Sequence, residues 1–209
     1  MSDFREVIPG ILHWKAFHDR IRQDAHSYYL PEQRIAIDPM PSDGLLEALG
    51  EAGGVQRVLL TNRHHLRGSE QIAEVFGCEV LCPAAGMHEF EQDQPVAPYE
   101  WGEILAPGVT AHEIAAICPD DGCLHIEIGP GAVAFADAVI GRDGGLAFVP
   151  DFLMDEPDRV KPATTAALER ILELDFDAIL LAHGTPIPSG GKEVLRRFID
   201  DPAQVSFDA

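Results

Sequence analysis

The sequence predicts one α/β (α+β) domain over residues 1–209, with two sheets and helices outside them. Three observations carry this. Short apolar runs bounded by turn residues, such as "RVLL" (57–60) and "AILLA" (178–182), read as buried strands. A strand, a helix and a strand follow one another over 55–83 at the spacing of a parallel βαβ unit. A second β-rich stretch then follows and again ends in helices, so the order is β-rich plus α, twice over.

In chain order, "SYYL" (27–30) and "RIAID" (34–38) flank the polar break "PEQ" and predict a hairpin. "LLEALGEAGG" (45–54) has helical apolar spacing and stops at glycines. "VQRVLLTN" (55–62) is a strand. "SEQIAEVFG" (69–77) is a helix, with Ser69 as the cap and Gly77 at its end. "CEVLCP" (78–83) is a strand, and the polar stretch 89–100 reads as a loop and the best internal seam. Four short strands follow: "EILAP", "VTAHEI", "CLHIEI" and "AVAFAD". Tight turns fall at "GPG" (129–131) and "RDGG" (142–145). "ATTAALERILEL" (163–174) is an amphipathic helix, "FDAILLAHG" (176–184) a buried strand, and "GGKEVLRRFID" (190–200) a last helix.

Composition narrows the function. Apolar residues make up 46% of the 209, enough for a buried core. Lys plus Arg number 15 against 35 Asp plus Glu, a formal charge of −20 that repels nucleic-acid phosphates and anionic membrane. The start has no secretory pattern and no apolar run reaches the ~18 residues of a membrane span, so a cytoplasmic location is expected. Cys78, Cys82, Cys118 and Cys123 lack the close C-x2-C pairing of structural zinc sites and read as free thiols. No G-x-S-x-G elbow is present, and "GTPIPSGGKE" lacks the spacing and the Ser or Thr of a phosphate loop.

Polar residues at the ends of buried strands are where α/β proteins place their sites. Three such ends stand out: "LLTNRHHLRG" with His64 and His65, "VAFADAVI" with Asp137, and "ILLAHGTP" with His183. If the first strand continues, His64 and His65 point to opposite sides. His64 is then the inward candidate and His65 a surface or supporting imidazole. His112 and His125 read as structural, and His13, His18, His26 and His88 as background.

These segments, in this order, resemble the metallo-β-lactamase superfamily. That family carries T-H-x-H-x-D-H at the first strand end, a further ligand histidine after the next strand block, a bridging aspartate, and a last histidine before glycine. The resemblance covers nearly the whole chain. It implies a four-layer αββα sandwich with a metal site at the strand ends. It also sets Asp38, in "AIDPM", in the place of the aspartate that closes the family's opening strands. Laid on the motif, Asn62 stands where the first histidine belongs and His64 matches the second. Leu66 replaces the aspartate and Arg67 the third histidine. The further ligand falls on Ile117 or Cys118, while Asp137 and His183 are kept.

Leucine donates no lone pair, and a guanidinium repels a divalent ion. The resemblance therefore implies a dinuclear site that is largely lost, with no dinuclear cofactor expected. Two readings follow. In one, the fold survives without hydrolysis, and Asn62, Arg67, Asp137 and His183 form a polar network around a small anionic ligand or a protein partner. There, Arg67 neutralises Asp137 in place of a metal. In the other, the chain is a hydrolase-like enzyme with one zinc, iron or manganese ion on His64, Asp137 and His183, with His65 or Cys118 as spare donors. Arg63 or Arg67 then meets an anionic substrate. Residues 139–160 are the segment that could lie over the cleft.

Overall fold

A computed structural model describes residues 4–143 and 145–202. Seven strands make the first sheet, in sequence order: β1 (Arg5–Ile8), β2 (Ile11–His18), β3 (Gln23–Leu30), β4 (Ile35–Ile37), β5 (Arg57–Leu59), β6 (Glu79–Pro83) and β7 (Val96–Tyr99). β1 to β4 pair antiparallel, and β4 to β7 run parallel. The second sheet holds β8 (Ile104–Ala106), β9 (Val109–Glu113), β10 (Gly122–Ile126), β11 (Ala132–Phe135) and β14 (Ala178–Leu181), in the order β14-β11-β10-β9-β8. β11 and β14 are parallel. A small hairpin, β12 (Ile140–Arg142) with β13 (Gly145–Ala147), stands apart. The expected turn at 142–145 joins these two, with Gly144 outside the described residues.

Alternation along the strands builds three cores from two sheets. In β5, Val58 faces α1 (Leu45–Glu51) and α2 (Ser69–Phe76), where it meets Leu49, Ile72 and Trp14. Its neighbour Leu59 faces the other sheet and joins Tyr28, Ile37, Leu124 and Leu180. In β14, Leu180 enters that middle core. Leu181 turns outward to α3 (Pro157–Ile171) and α4 (Gly191–Asp200), among Leu168, Leu195 and Phe198. The result is helices, sheet, sheet, helices: the αββα sandwich expected from the sequence. Among the described residues no helix is long and apolar enough to cross a membrane.

Three local expectations change. The stretch 89–100 contains β7 as well as loop; Pro98 is tolerated because β7 is the last strand of its sheet and needs a partner on one side only. The helix expected from 163 begins at Pro157, where a proline at the first position loses no hydrogen bond, and runs through Pro162. Ser69 does not cap α2. Gly68 is the cap, and the Ser69 hydroxyl is buried without a hydrogen-bond partner.

Candidate metal centre

The C-terminal ends of four parallel strands converge on one edge of the sandwich. β4 leads into Asp38, β5 into Thr61–His65, β11 into Asp137 and β14 into His183. The two sheets are locked together there. The Tyr28 hydroxyl donates to Leu181 O at 2.8 Å and accepts from Leu181 N at 2.9 Å. The His26 amide donates to Ala182 O at 2.9 Å. These bonds fix the end of β14, and with it His183, against β3.

The first strand end does not stay extended. Asn62 is the last extended residue, and its side chain accepts a hydrogen bond from the His64 amide at 3.0 Å, capping a tight 3₁₀ turn over Arg63–His65. The turn exchanges the expected directions. His64 is exposed, whereas His65 is only 2% exposed and points inward. His64 is therefore not the inward imidazole, and His65 is not a surface one.

His65 sits between two carboxylates. Its Nδ1 lies 3.0 Å from Asp38 Oδ2 and its Nε2 3.6 Å from Asp137 Oδ1. Asp38 also accepts from the Thr61 amide at 2.8 Å and from the Thr61 hydroxyl. Burial and Arg67 work against a charge on His65, but Asp38 and Asp137 outweigh them and raise its pKa to about 9. Asp137 is held on its far side by Asn62 Nδ2, 2.8 Å from Oδ2. Burial opposes its charge, yet His65, His183 and the Asn62 hydrogen bond hold its carboxyl well below the usual carboxylate range.

His183 Nε2 lies 3.4 Å from the same Asp137 Oδ1, and its Nδ1 lies 3.3 Å from the Gln23 side-chain amide. Burial, opposed by Asp137, lowers its pKa to about 4, so the ring is neutral at pH 7. The fully buried Asp121 accepts the Asp137 amide on Oδ1 at 3.0 Å, and burial followed by the Asp137 charge raises its pKa to about 8.

Ligand atoms of His65, Asp137 and His183 lie within 4.8 Å of one another. Four donors at zinc's bonding distance of 2.0–2.1 Å stand about 3.4 Å apart around a tetrahedron. The two spacings to Asp137 Oδ1, 3.6 and 3.4 Å, fit that geometry. Each donor is also held from behind, by Asp38, Asn62 and Gln23, as ligand residues commonly are. The three residues thus suit one metal ion.

The other expected residues divide. Asn62 belongs to the network. Arg67 enters it, but through Asp38 O at 3.2 Å and His183 Nε2 at 3.4 Å rather than by an ion pair with Asp137. Cys118 is outside the group. Its thiol faces Asp120, and burial with Asp121 and Asp120 pushes its pKa well up, so it is no ready thiolate. Arg63 points away from the centre. Its guanidinium and its amide both bind the buried Asp120, fastening the turn to the loop before β10. The 139–160 segment meets the loop that carries His183, where the Gly141 amide donates to His183 O at 2.8 Å. Sequence reasoning missed Gln23 and Asp121. The signal for His65 was present, since an Asn before a polar run is a turn cap.

The sandwich has counterparts among known proteins. A family model described as the metallo-beta-lactamase superfamily matches residues 6–201. An archaeal protein of that superfamily from Sulfolobus tokodaii superposes with a TM-score of 0.71 at 14% identity, over 96% of this chain and 90% of that one. A metallo-beta-lactamase from Staphylococcus aureus gives 0.64 at 12% identity, over 95% and 69%. A flavoprotein from Thermotoga maritima gives 0.63 at 13% identity, over 95% of this chain but 59% of its own. No curated protein matches the chain. With the family model spanning nearly the whole chain and the layers matching throughout, the chain belongs to the metallo-beta-lactamase superfamily.

Proposed function

We propose that this chain is a hydrolase-type member with a mononuclear centre: one divalent ion on His65, Asp137 and His183, without the dinuclear site of the family pattern. The observation that carries it is the convergence of three donors on a space of tetrahedral size. The positions that would complete a second site are Leu66 and Arg67, and neither side chain supplies a ligand. When bound there, such an ion would supply an activated water, with a pKa of about 7, for attack on an ester, thioester or amide at neutral pH. The chain's own residues prepare the seat. Asp38 holds His65 with Nε2 inward. Asn62 turns Asp137 so that Oδ1 faces both imidazoles. Asp137 keeps 23% side-chain exposure, so the centre is open to solvent on that side.

A second reading has its own support. His65 between Asp38 and Asp137, with Arg67 closing on His183, is also a charge-balanced network that needs no ion. A cleft of that kind would bind a small anionic ligand or a partner protein. Elemental mass spectrometry decides between them. Tag-free protein is supplied with zinc, iron and manganese and desalted. The mononuclear reading expects near one equivalent of metal, lost in His65→Ala and His183→Ala and kept in His64→Ala. Traces of every metal in the wild type would establish the ion-free network.

A further inference from the structure

Arg67 is built into the centre as a surface arginine is not. Its backbone is left-handed, with φ of 42°, a conformation that bulky residues seldom hold without cause. The next residue pins it there. Gly68 N donates to Pro39 O at 3.0 Å, and a Cβ at Gly68 would meet Pro41 at 3.0 Å and the Pro39 carbonyl at 3.1 Å. From this anchor the guanidinium runs inward. One terminal nitrogen donates to Asp38 O at 3.2 Å, the other stands 3.4 Å from His183 Nε2, and Nε is sealed from solvent without a hydrogen-bond partner. Burial works against its charge, and Asp38 and Asp137 favour it without closing an ion pair among the described residues.

His183 Nε2 therefore has two neighbours at 3.4 Å, a carboxylate oxygen of Asp137 and a guanidinium nitrogen of Arg67. In the tautomer with its proton on Nδ1, which an ion on Nε2 requires, this nitrogen has one lone pair. It can then accept a hydrogen bond or bind an ion, but not both. Zinc bonds an imidazole nitrogen at about 2 Å, well inside the distance at which the guanidinium stands. Arginine stays cationic at any ordinary pH, and in a partly buried site two like charges at such range repel strongly.

We propose that Arg67 is a tethered competitor for the metal: its guanidinium occupies the His183 face of the centre and weakens binding of a divalent ion there. The proposal rests on the mononuclear reading and adds what limits it. Arg67 is then a positioning residue for charge, not a ligand.

The test is zinc affinity by competition with a chromophoric chelator, with stoichiometry by elemental mass spectrometry, on the tag-free chain. Arg67→Gln removes the charge without adding an imidazole. It is expected to bind zinc about tenfold more tightly or better, still as one ion. Arg67→Lys, which keeps the charge, is expected to stay close to wild type. Equal or weaker binding by a folded Arg67→Gln protein would overturn the proposal. Arg67→Met repeats the comparison with a different shape. Unfolding of both neutral variants would make Arg67 a structural cation and overturn it too. The two ideas fail separately. Zinc on Arg67→Gln but not on wild type sinks the mononuclear reading of the native chain and keeps the competitor. Equal zinc on both sinks the competitor and keeps the reading. Zinc on neither sinks both.

Discussion

His65 has both ring nitrogens facing carboxylates, with its side chain 3% exposed. Removing it leaves Asp38 and Asp137 facing each other across a space with no cation between them. Breaking a buried ionic arrangement by deleting one partner costs about 3–5 kcal/mol. His65→Ala is therefore expected to lose stability of that order in urea unfolding of the metal-free protein, and His64→Ala to stay within about 0.5 kcal/mol of wild type. Equal losses in both would mean that the turn itself, and not the charge on His65, is what matters. The same pair shows where the sequence was legible. That a histidine of "RHH" belongs with Asp137 and His183 follows from three strand ends. Which histidine it is depends on whether the chain stays extended past Asn62. Strand alternation points to His64, but the Asn62 side chain closes a turn and delivers the next residue instead. Asp121 had no such signal, because an acid in a loop reads as solvated until the fold buries it.

At the scale of elements, the loop that follows β14 is set by backbone packing in addition to the Tyr28 hydroxyl bonds. Gly184 follows His183 with φ of 102°, and a Cβ there would come within 2.5 Å of Gly141 Cα and 2.6 Å of Gly141 N. Gly141 in turn donates to His183 O, so the two glycines set the distance between β12 and the loop carrying His183. Gly184→Ala combines a disfavoured φ with a backbone clash that no rotamer relieves. It is expected to cost about 2–4 kcal/mol. It should also weaken zinc binding, because His183 must shift when the loops part; chelator competition on the folded fraction checks this. Unchanged affinity in a destabilised protein would show that His183 is placed by the Tyr28 and His26 bonds alone. The strands behind these loops were readable because each is an apolar run buried on both faces. β1 and β2 were not singled out: β2 places Phe17 at 49% exposure on an edge region while Trp14 is buried, and that mixture has no clean period. β7 was hidden by its proline.

At the scale of the molecule, ionisation sets a stability profile whose sign is fixed by direction of shift. His65 is raised from 6.5 to about 9, so its contribution is complete below pH 6.5 and lost as pH rises through 9. Asp121 is raised from 3.8 to about 8, so its contribution is complete below 3.8 and lost as pH rises through 8. His13, His26 and His183 are each lowered from 6.5 to about 4 by burial first, so theirs is present above 6.5 and lost as pH falls through 4. Below pH 6.5 these three groups gain with rising pH, as do His18, His64 and His112, whose pKa values partial burial also lowers, against Asp121, which loses; above 6.5 only losses remain. The metal-free protein is expected to be most stable near pH 6.5, with its unfolding temperature falling towards pH 9. Metal reverses the alkaline side. An ion on His65 Nε2 needs that nitrogen free of its proton, so binding releases a proton wherever His65 is charged, and affinity rises with pH until about 9. The gap in unfolding temperature between zinc-saturated and chelator-treated protein should therefore widen from pH 6.5 to 9, as scanning calorimetry at fixed zinc excess would read. A gap that stays constant across that range would mean that His65 carries no proton for zinc to displace, and would move the ion, if one binds, off His65.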